Sequence, residues 1–263
     1  MDNVIRDIEF WRLAAAYIFI LILIVFVKWR GIKREKRIII STARMTIQLI
    51  LVGYILTYIF EQPNPYLIIL IVLFMLWFAI NNTYKQVTGT LSKKLKQIIA
   101  ISMAAGSLIT LIYFNLVVIH FQPWYEPQYL IPIAGMIIGN SMTGITLGVK
   151  NLIEGMQREK HLIEGALMLG AKPEIATKSI VNSAFDSAIL PTINNMVGMG
   201  IVFLPGMMTG QILAGISPLT AIEYQIAILL GIAGSVALTV MIFTYYGYRA
   251  FFNDKQQFLS QGK

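Results

Sequence analysis

The segment Lys150–Ser187, KNLIEGMQREKHLIEGALMLGAKPEIATKSIVNSAFDS, is the longest stretch of the chain that does not read as a membrane span. Leu152, Met156, Ile163 and Leu167 fall on one helical stripe, with Glu154, Gln157, Arg158 and Lys160 largely elsewhere. Gly170 is placed to end that helix, because glycine takes the left-handed conformation without a steric penalty. Pro173 can then open a second helix, with Glu174 in its first turn favoured by the helix dipole. Five basic and five acidic residues balance one another across the segment. The pattern predicts an amphipathic helix–turn–helix hairpin at a membrane surface, either simply solvated or docked to a partner.

On both sides the chain is strongly apolar. Of 263 residues 57% are hydrophobic and 13% charged, and the mean hydropathy is +0.69. So few charges cannot clothe a water-soluble domain, so the composition points to a multispanning membrane protein. Seven runs qualify as spans: 10–27, 38–60, 66–83, 98–119, 130–149, 189–214 and 221–248. The reading is an all-α polytopic protein, one transmembrane permease domain over 1–263, with the hairpin at 150–187. The sixth run contains Pro205–Gly206 and can be two half-helices. The N-terminus is acidic and lacks a small-residue cleavage site, so the first run reads as a span.

Basic residues alternate by loop. Segments 28–37, 81–97, 150–187 and 249–263 hold six, four, five and three Lys or Arg, whereas 61–65, 120–129 and 215–220 hold none. The positive-inside rule then places the N-terminus outside, and the hairpin and C-terminus in the cytoplasm, of a cell (inner) membrane. Arg6, Arg12 and Arg44 are the exceptions. Arg6 stands among Asp2, Asp7 and Glu9, Arg12 beside Trp11, and Arg44 within reach of the cytoplasmic face. A net charge of +8 spread over such loops suits anionic lipid headgroups, and no nucleic-acid partner is expected.

Several chemistries are excluded or disfavoured. The chain has no cysteine, so disulfides and thiolate metal sites are absent. No Asp, Glu, Lys or His stands mid-span, which weighs against an ion-coupled carrier and against a side-chain site for a bare divalent cation. His120 and His161 are isolated, so no metal site is expected. No catalytic arrangement is found. Gly144–Lys150 has the wrong spacing for a phosphate loop, so any ATP and Mg bind a separate subunit, and this chain binds no cofactor.

The fifth and sixth runs are rich in small and polar residues. Gly135/Gly139, Gly144/Gly148 and Gly206/Gly210 are GxxxG pairs that favour close helix packing, within the chain or across a homodimer. Asn140, Ser141, Thr143, Asn194, Asn195, Thr209 and Gln211 cannot be satisfied by lipid, so they face protein or a water-filled path. Met142, Met196, Met199, Met207 and Met208 cluster there as well, as packing or as soft-metal ligands. The candidate substrate path is Asn140, Met142, Thr143, Asn194, Asn195, Met199, Met208, Thr209 and Gln211.

Glu164–Gly165–Ala166–Leu–Met–Leu–Gly170–Ala171 resembles the EAA loop of ABC-transporter permeases, in which E-A-A is followed after three residues by Gly. Ile180 stands at that loop's Ile position, while Asn182 and Ser183 replace its Leu-Pro. The strings Ile131–Gly144, Pro191–Gly200, Leu204–Leu213 and Tyr224–Ile226, with Arg44–Met–Thr–Ile–Gln48–Leu, are similar to the FetB-type permeases, a family described as iron exporters. Plant members are linked to aluminium tolerance and UDP-glucose transport. The resemblance implies a permease subunit without enzymatic activity of its own. It implies a cytoplasmic ABC-type ATPase as partner, a homodimer, and iron or a metal-linked species as exported cargo. Coupling would fall to Glu164, Gly165, Ala166, Gly170, Ala171 and Pro173. A nucleotide sugar or other small organic solute is the alternative cargo. An ion-coupled carrier and a non-transporting membrane factor are the alternative classes.

Overall fold

The computed structural model describes residues 8–87 and 91–259; the readings made for Asp2, Arg6, Asp7 and Lys263 fall outside them. Two compact units divide the chain: Met1–Pro63 with Leu213–Gly215, and Asn64–Ile212 with Ile216–Lys263.

In the first unit, α1 (Phe10–Ala16) and α2 (Ile18–Trp29) form one rod with an irregularity at Tyr17, and α3 (Glu35–Glu61) returns beside it. The Tyr17 hydroxyl and Thr46 Oγ1 lie 2.6 Å apart and tie the two limbs together. Gly31 (φ +69°) turns the chain between them. At the N-terminal end Arg12 lies 3.4 Å from Glu9 and stacks over the Trp11 ring.

The second unit is a helical bundle. Its first members are α4 (Pro65–Gln86) and α5 (Lys93–Tyr113), the latter extended by a π-helical turn, Phe114–Ile119. Next comes α6 (Pro127–Arg158), a 32-residue helix about 48 Å long. It is longer than the ~30 Å that a hydrocarbon core requires. The chain then folds through α7 (Lys160–Met168) and α8 (Pro173–Ala176) into α9 (Lys178–Gly198). After a loop, α10 (Gly206–Leu213) precedes α11 (Pro218–Gly247), which ends in a 3-10 turn, Tyr248–Phe251. Among the described residues there is no strand, only two isolated bridges.

Small residues set the packing. A Cβ on Gly144 would lie 2.8 Å from Val236 and 3.2 Å from the Ala188 carbonyl, and one on Gly148 3.2 Å from Ala188 Cβ. This GxxxG pair therefore lets α6 approach both α9 and α11, whereas Gly139, Gly206 and Gly210 have nothing within 4 Å. Direction follows from such contacts. Going down α6, Ser141, Gly144 and Gly148 meet Ser235, Val236 and Val240, so α6 and α11 are parallel. Gly148 meets Ala184 and Ala188, and Gly155 meets Ile180, so α9 is antiparallel to α6.

Among the described residues, six helical segments are long and apolar enough to cross a membrane: Phe10–Trp29, Glu35–Glu61, Pro65–Gln86, Lys93–Ile119, Pro127–Arg158 and Pro218–Phe251. The parallel pair α6 and α11 requires a return between them, and α9, 21 residues or about 31 Å, provides it. The fold is thus all-α and polytopic, in line with seven spans.

The expected sixth run, 189–214, has different limits. Its helix begins eleven residues earlier, at Lys178, and stops at Gly198. Gly198 leaves room for the Phe203 ring, and Gly200 (φ +81°) reverses the chain so that Val202 and Phe203 N–H donate back to the Gly198 carbonyl at 2.9 and 3.1 Å. Pro205 does not kink a helix; it precedes α10, and its carbonyl accepts from Thr209 N at 2.9 Å.

Candidate coupling site and polar face

The hairpin sits at one end of the bundle. Its first limb is not separate from the fifth span, because α6 carries the chain through to Arg158. The stripe read from sequence is real at three of its four positions: Leu152, Met156 and Ile163 are buried. A bend at Glu159 separates α6 from α7. Gly170 has φ +88°, Gly170 N–H donates to Leu167 O and Ala171 N–H to Ala166 O, each at 3.0 Å. That pair of bonds is the Schellman motif, which satisfies the last carbonyls of α7. Pro173 opens α8 with Glu174 in its first turn, as expected. The second limb is interrupted at Thr177, whose buried hydroxyl donates to the Pro173 carbonyl at 2.8 Å.

The named coupling residues are therefore neighbours. Glu164 lies 3.7 Å from Lys160 one turn back, and Glu164, Gly170 and Ala171 line a cleft of about 530 Å³ with Leu167, Met168 and the C-terminal Lys255–Phe258 loop. Gly165 has open space where a Cβ would project. At the tip Met168 and Leu169 are 86% and 91% exposed.

The Ile that matches the EAA pattern and one of the two departures from it both face α6. Ile180 packs over Gly155 of α6. In place of Leu-Pro, Ser183 donates to Asn151 Oδ1 at 3.3 Å, and Asn151 Nδ2 donates to Ser187 at 2.9 Å. Polar bonds fasten α9 to α6 just above the hairpin.

The path residues do not form one enclosed chamber. Asn140 and Thr143 donate back to their own helix, to Met136 O at 2.8 Å and Gly139 O at 3.1 Å. Thr143, Asn194, Asn195 and Thr209 are exposed, and Met199, Met208 and Gln211 half-buried. Met142 turns inward, where its sulfur accepts from Asn82 Nδ2 at 3.4 Å.

A second polar group, unmarked in the sequence reading except for Ser141, lies inside the bundle. The Ser141 and Ser235 hydroxyls are 2.8 Å apart, and Thr146 Oγ1 is 3.4 Å from Thr83 Oγ1. Ser102, Ser107 and Thr239 are fully buried, and their hydroxyls have no hydrogen-bond partner among the described residues. Gly106 of α5, not singled out in the sequence, makes the close approach to α11 at Thr239. Among the described residues no group of three or more His, Cys, Asp or Glu is placed to hold a metal.

Fold and site together define a polytopic helical membrane protein with a helical hairpin returning at one end of its bundle. The chain belongs to the family described as "Uncharacterised protein family (UPF0014)", which matches residues 10–252. It is 35% identical to the "Probable iron export permease protein FetB" of Escherichia coli K12, over 93% of each chain. It is 34% identical to the "UPF0014 membrane protein YjkA" of Bacillus subtilis, over 95% of this chain and 98% of that one. It is also 34% identical to "Protein ALUMINUM SENSITIVE 3" of Arabidopsis thaliana, over 93% of this chain and 88% of that one. No solved structure matches.

Proposed function

We propose that this chain is the permease subunit of an ATP-driven exporter whose cargo is iron or a metal-linked species. The observation that carries the reading is the hairpin: α6 runs unbroken from the membrane into its first limb, α9 leaves from its second, and polar bonds join the two at Asn151. A cytoplasmic ABC-type ATPase, holding ATP and Mg, receives the exposed Met168–Leu169 tip. Closure of the ATPase pushes on the turn, and the rigid Schellman cap passes the displacement to α6 and α9. The N-terminus is then outside the cell membrane and the C-terminus in the cytoplasm. The relative named as an iron export permease supports the cargo class. With no carboxylate or imidazole cluster among the described residues, a chelated or conjugated metal suits the polar, uncharged path better than a bare ion.

Thr143, Asn194 and Asn195 are exposed on spanning helices, where lipid offers no hydrogen bonds. A homodimer covers such a face and makes a shared path from Asn140, Met142, Thr143, Asn194, Asn195, Met199, Met208, Thr209 and Gln211 of both copies. The test is ATP-dependent uptake into inverted vesicles containing this chain and its ATPase, screened over iron, iron–citrate and UDP-glucose. Gly170→Pro and Glu164→Lys are expected to keep the helical signal and ATP hydrolysis but abolish uptake. Full coupling in both variants, or uptake driven by an ion gradient without nucleotide, overturns the reading.

A further inference from the structure

Near the hairpin, three cations from three separate elements converge on one cleft. Lys94 comes from the first turn of α5, Lys172 from the residue before α8, and Arg249 from the end of α11. The cleft holds about 290 Å³ and is also lined by Glu174, Tyr248 and Asp254. Although both carboxylates share it, none of the three cations lies within ion-pair distance of an acid among the described residues. Three cations against two carboxylates leave one positive charge unmatched.

Arg249 is exposed, but its guanidinium is oriented by three tyrosine rings and by a hydrogen bond that its Nε donates to the Tyr248 hydroxyl at 3.4 Å. Its guanidinium carbon lies 5.1, 5.6 and 5.8 Å from the ring centroids of Tyr245, Tyr246 and Tyr248. Rings at the end of a span sit at headgroup depth, with apolar bodies toward the acyl chains and polar tips in water. Tyr245 and Tyr246 are half exposed on that last turn, so a lipid tail can run down the outside of α11 while its head enters the cleft.

We propose that this cleft binds the phosphodiester headgroup of an anionic phospholipid. A singly charged phosphodiester matches the excess positive charge, an oriented guanidinium suits its two free oxygens, and the two lysines supply point charges. The site touches Lys172–Glu174, the elbow between the two limbs of the hairpin, so a bound lipid would brace the segment on which coupling depends. The assignment needs only a membrane bundle and stands whether or not an ATPase docks there.

The test is native mass spectrometry of the full chain, delipidated in detergent and reloaded with phosphatidylglycerol or phosphatidylcholine. Phosphatidylglycerol is expected to be retained and phosphatidylcholine not. The triple variant Lys94→Gln, Lys172→Gln, Arg249→Gln should lose retention by about tenfold or more. The charge-matched control Lys93→Gln, Lys96→Gln, Lys178→Gln should retain it, and Arg249→Gln alone provides a milder variant if the triple one fails to fold. Equal loss in the two triple variants reduces the effect to general surface charge and overturns the site, as does full retention in the cleft variants. Displacement of the lipid by excess inorganic phosphate, with the ion itself retained, would assign the cleft to a free anion and overturn the lipid source.

Discussion

At Gly106 the second unit has no room for a methyl group. A Cβ there would lie 2.7 Å from the Thr239 backbone nitrogen, and Ser235 Oγ donates to the Gly106 carbonyl at 3.4 Å. Backbone cannot yield as a side-chain tip can, so Gly106→Ala should cost about 1–3 kcal/mol by overpacking. Gly53→Ala, with nothing within 4 Å, should be neutral or slightly stabilising because alanine is the better helix former. Thermal unfolding of both variants in one detergent checks the contrast, and equal melting temperatures would refute it. The buried hydroxyls of Ser102, Ser107 and Thr239 were not legible: along the sequence each is one hydroxyl in an apolar helix, and only the packing of α5 and α11 in the bundle decides that it is buried.

The hairpin was the most legible element, because its signals are local. Gly170 at the turn and Pro173 at the next helix start each act through their own backbone. Replacing Gly170 with alanine forces a Cβ into the left-handed region at about 1–2 kcal/mol, whereas asparagine tolerates it. Gly170→Asn should therefore keep ATP-dependent flux close to wild type while Gly170→Ala lowers it, measured in vesicles at equal protein content. The limits of α9 were not legible. Lys178, Asn182, Ser183 and Asp186 read as a soluble segment, yet Ile180, Ala184, Ala188 and Thr192 form a buried stripe against the bundle. Its upper end was missed for the opposite reason: 199–205 is apolar enough to read as span but is turned back by Gly200.

Across the whole molecule the packing directions set a parity that labelling can check. The absence of cysteine means that a single introduced thiol is the only one present. With α9 as a crossing, Met168→Cys and Ile201→Cys, both strongly exposed, should react with a membrane-impermeant reagent from opposite sides, Met168→Cys from the cytoplasm. Reaction of both from the same side would remove α9 from the membrane. Sequence by itself determined that the chain is a helical membrane protein, where its basic loops lie, and that a hairpin turns at Gly170. Those properties depend on hydropathy, charge and backbone preference, which each residue carries with it. Tertiary structure alone decided which glycines pack and which stay open, that Met142 turns inward while Thr143 faces out, and that Lys94, Lys172 and Arg249 share one cleft. Those depend on how separate helices are juxtaposed, and residues more than 70 positions apart leave no local trace of meeting.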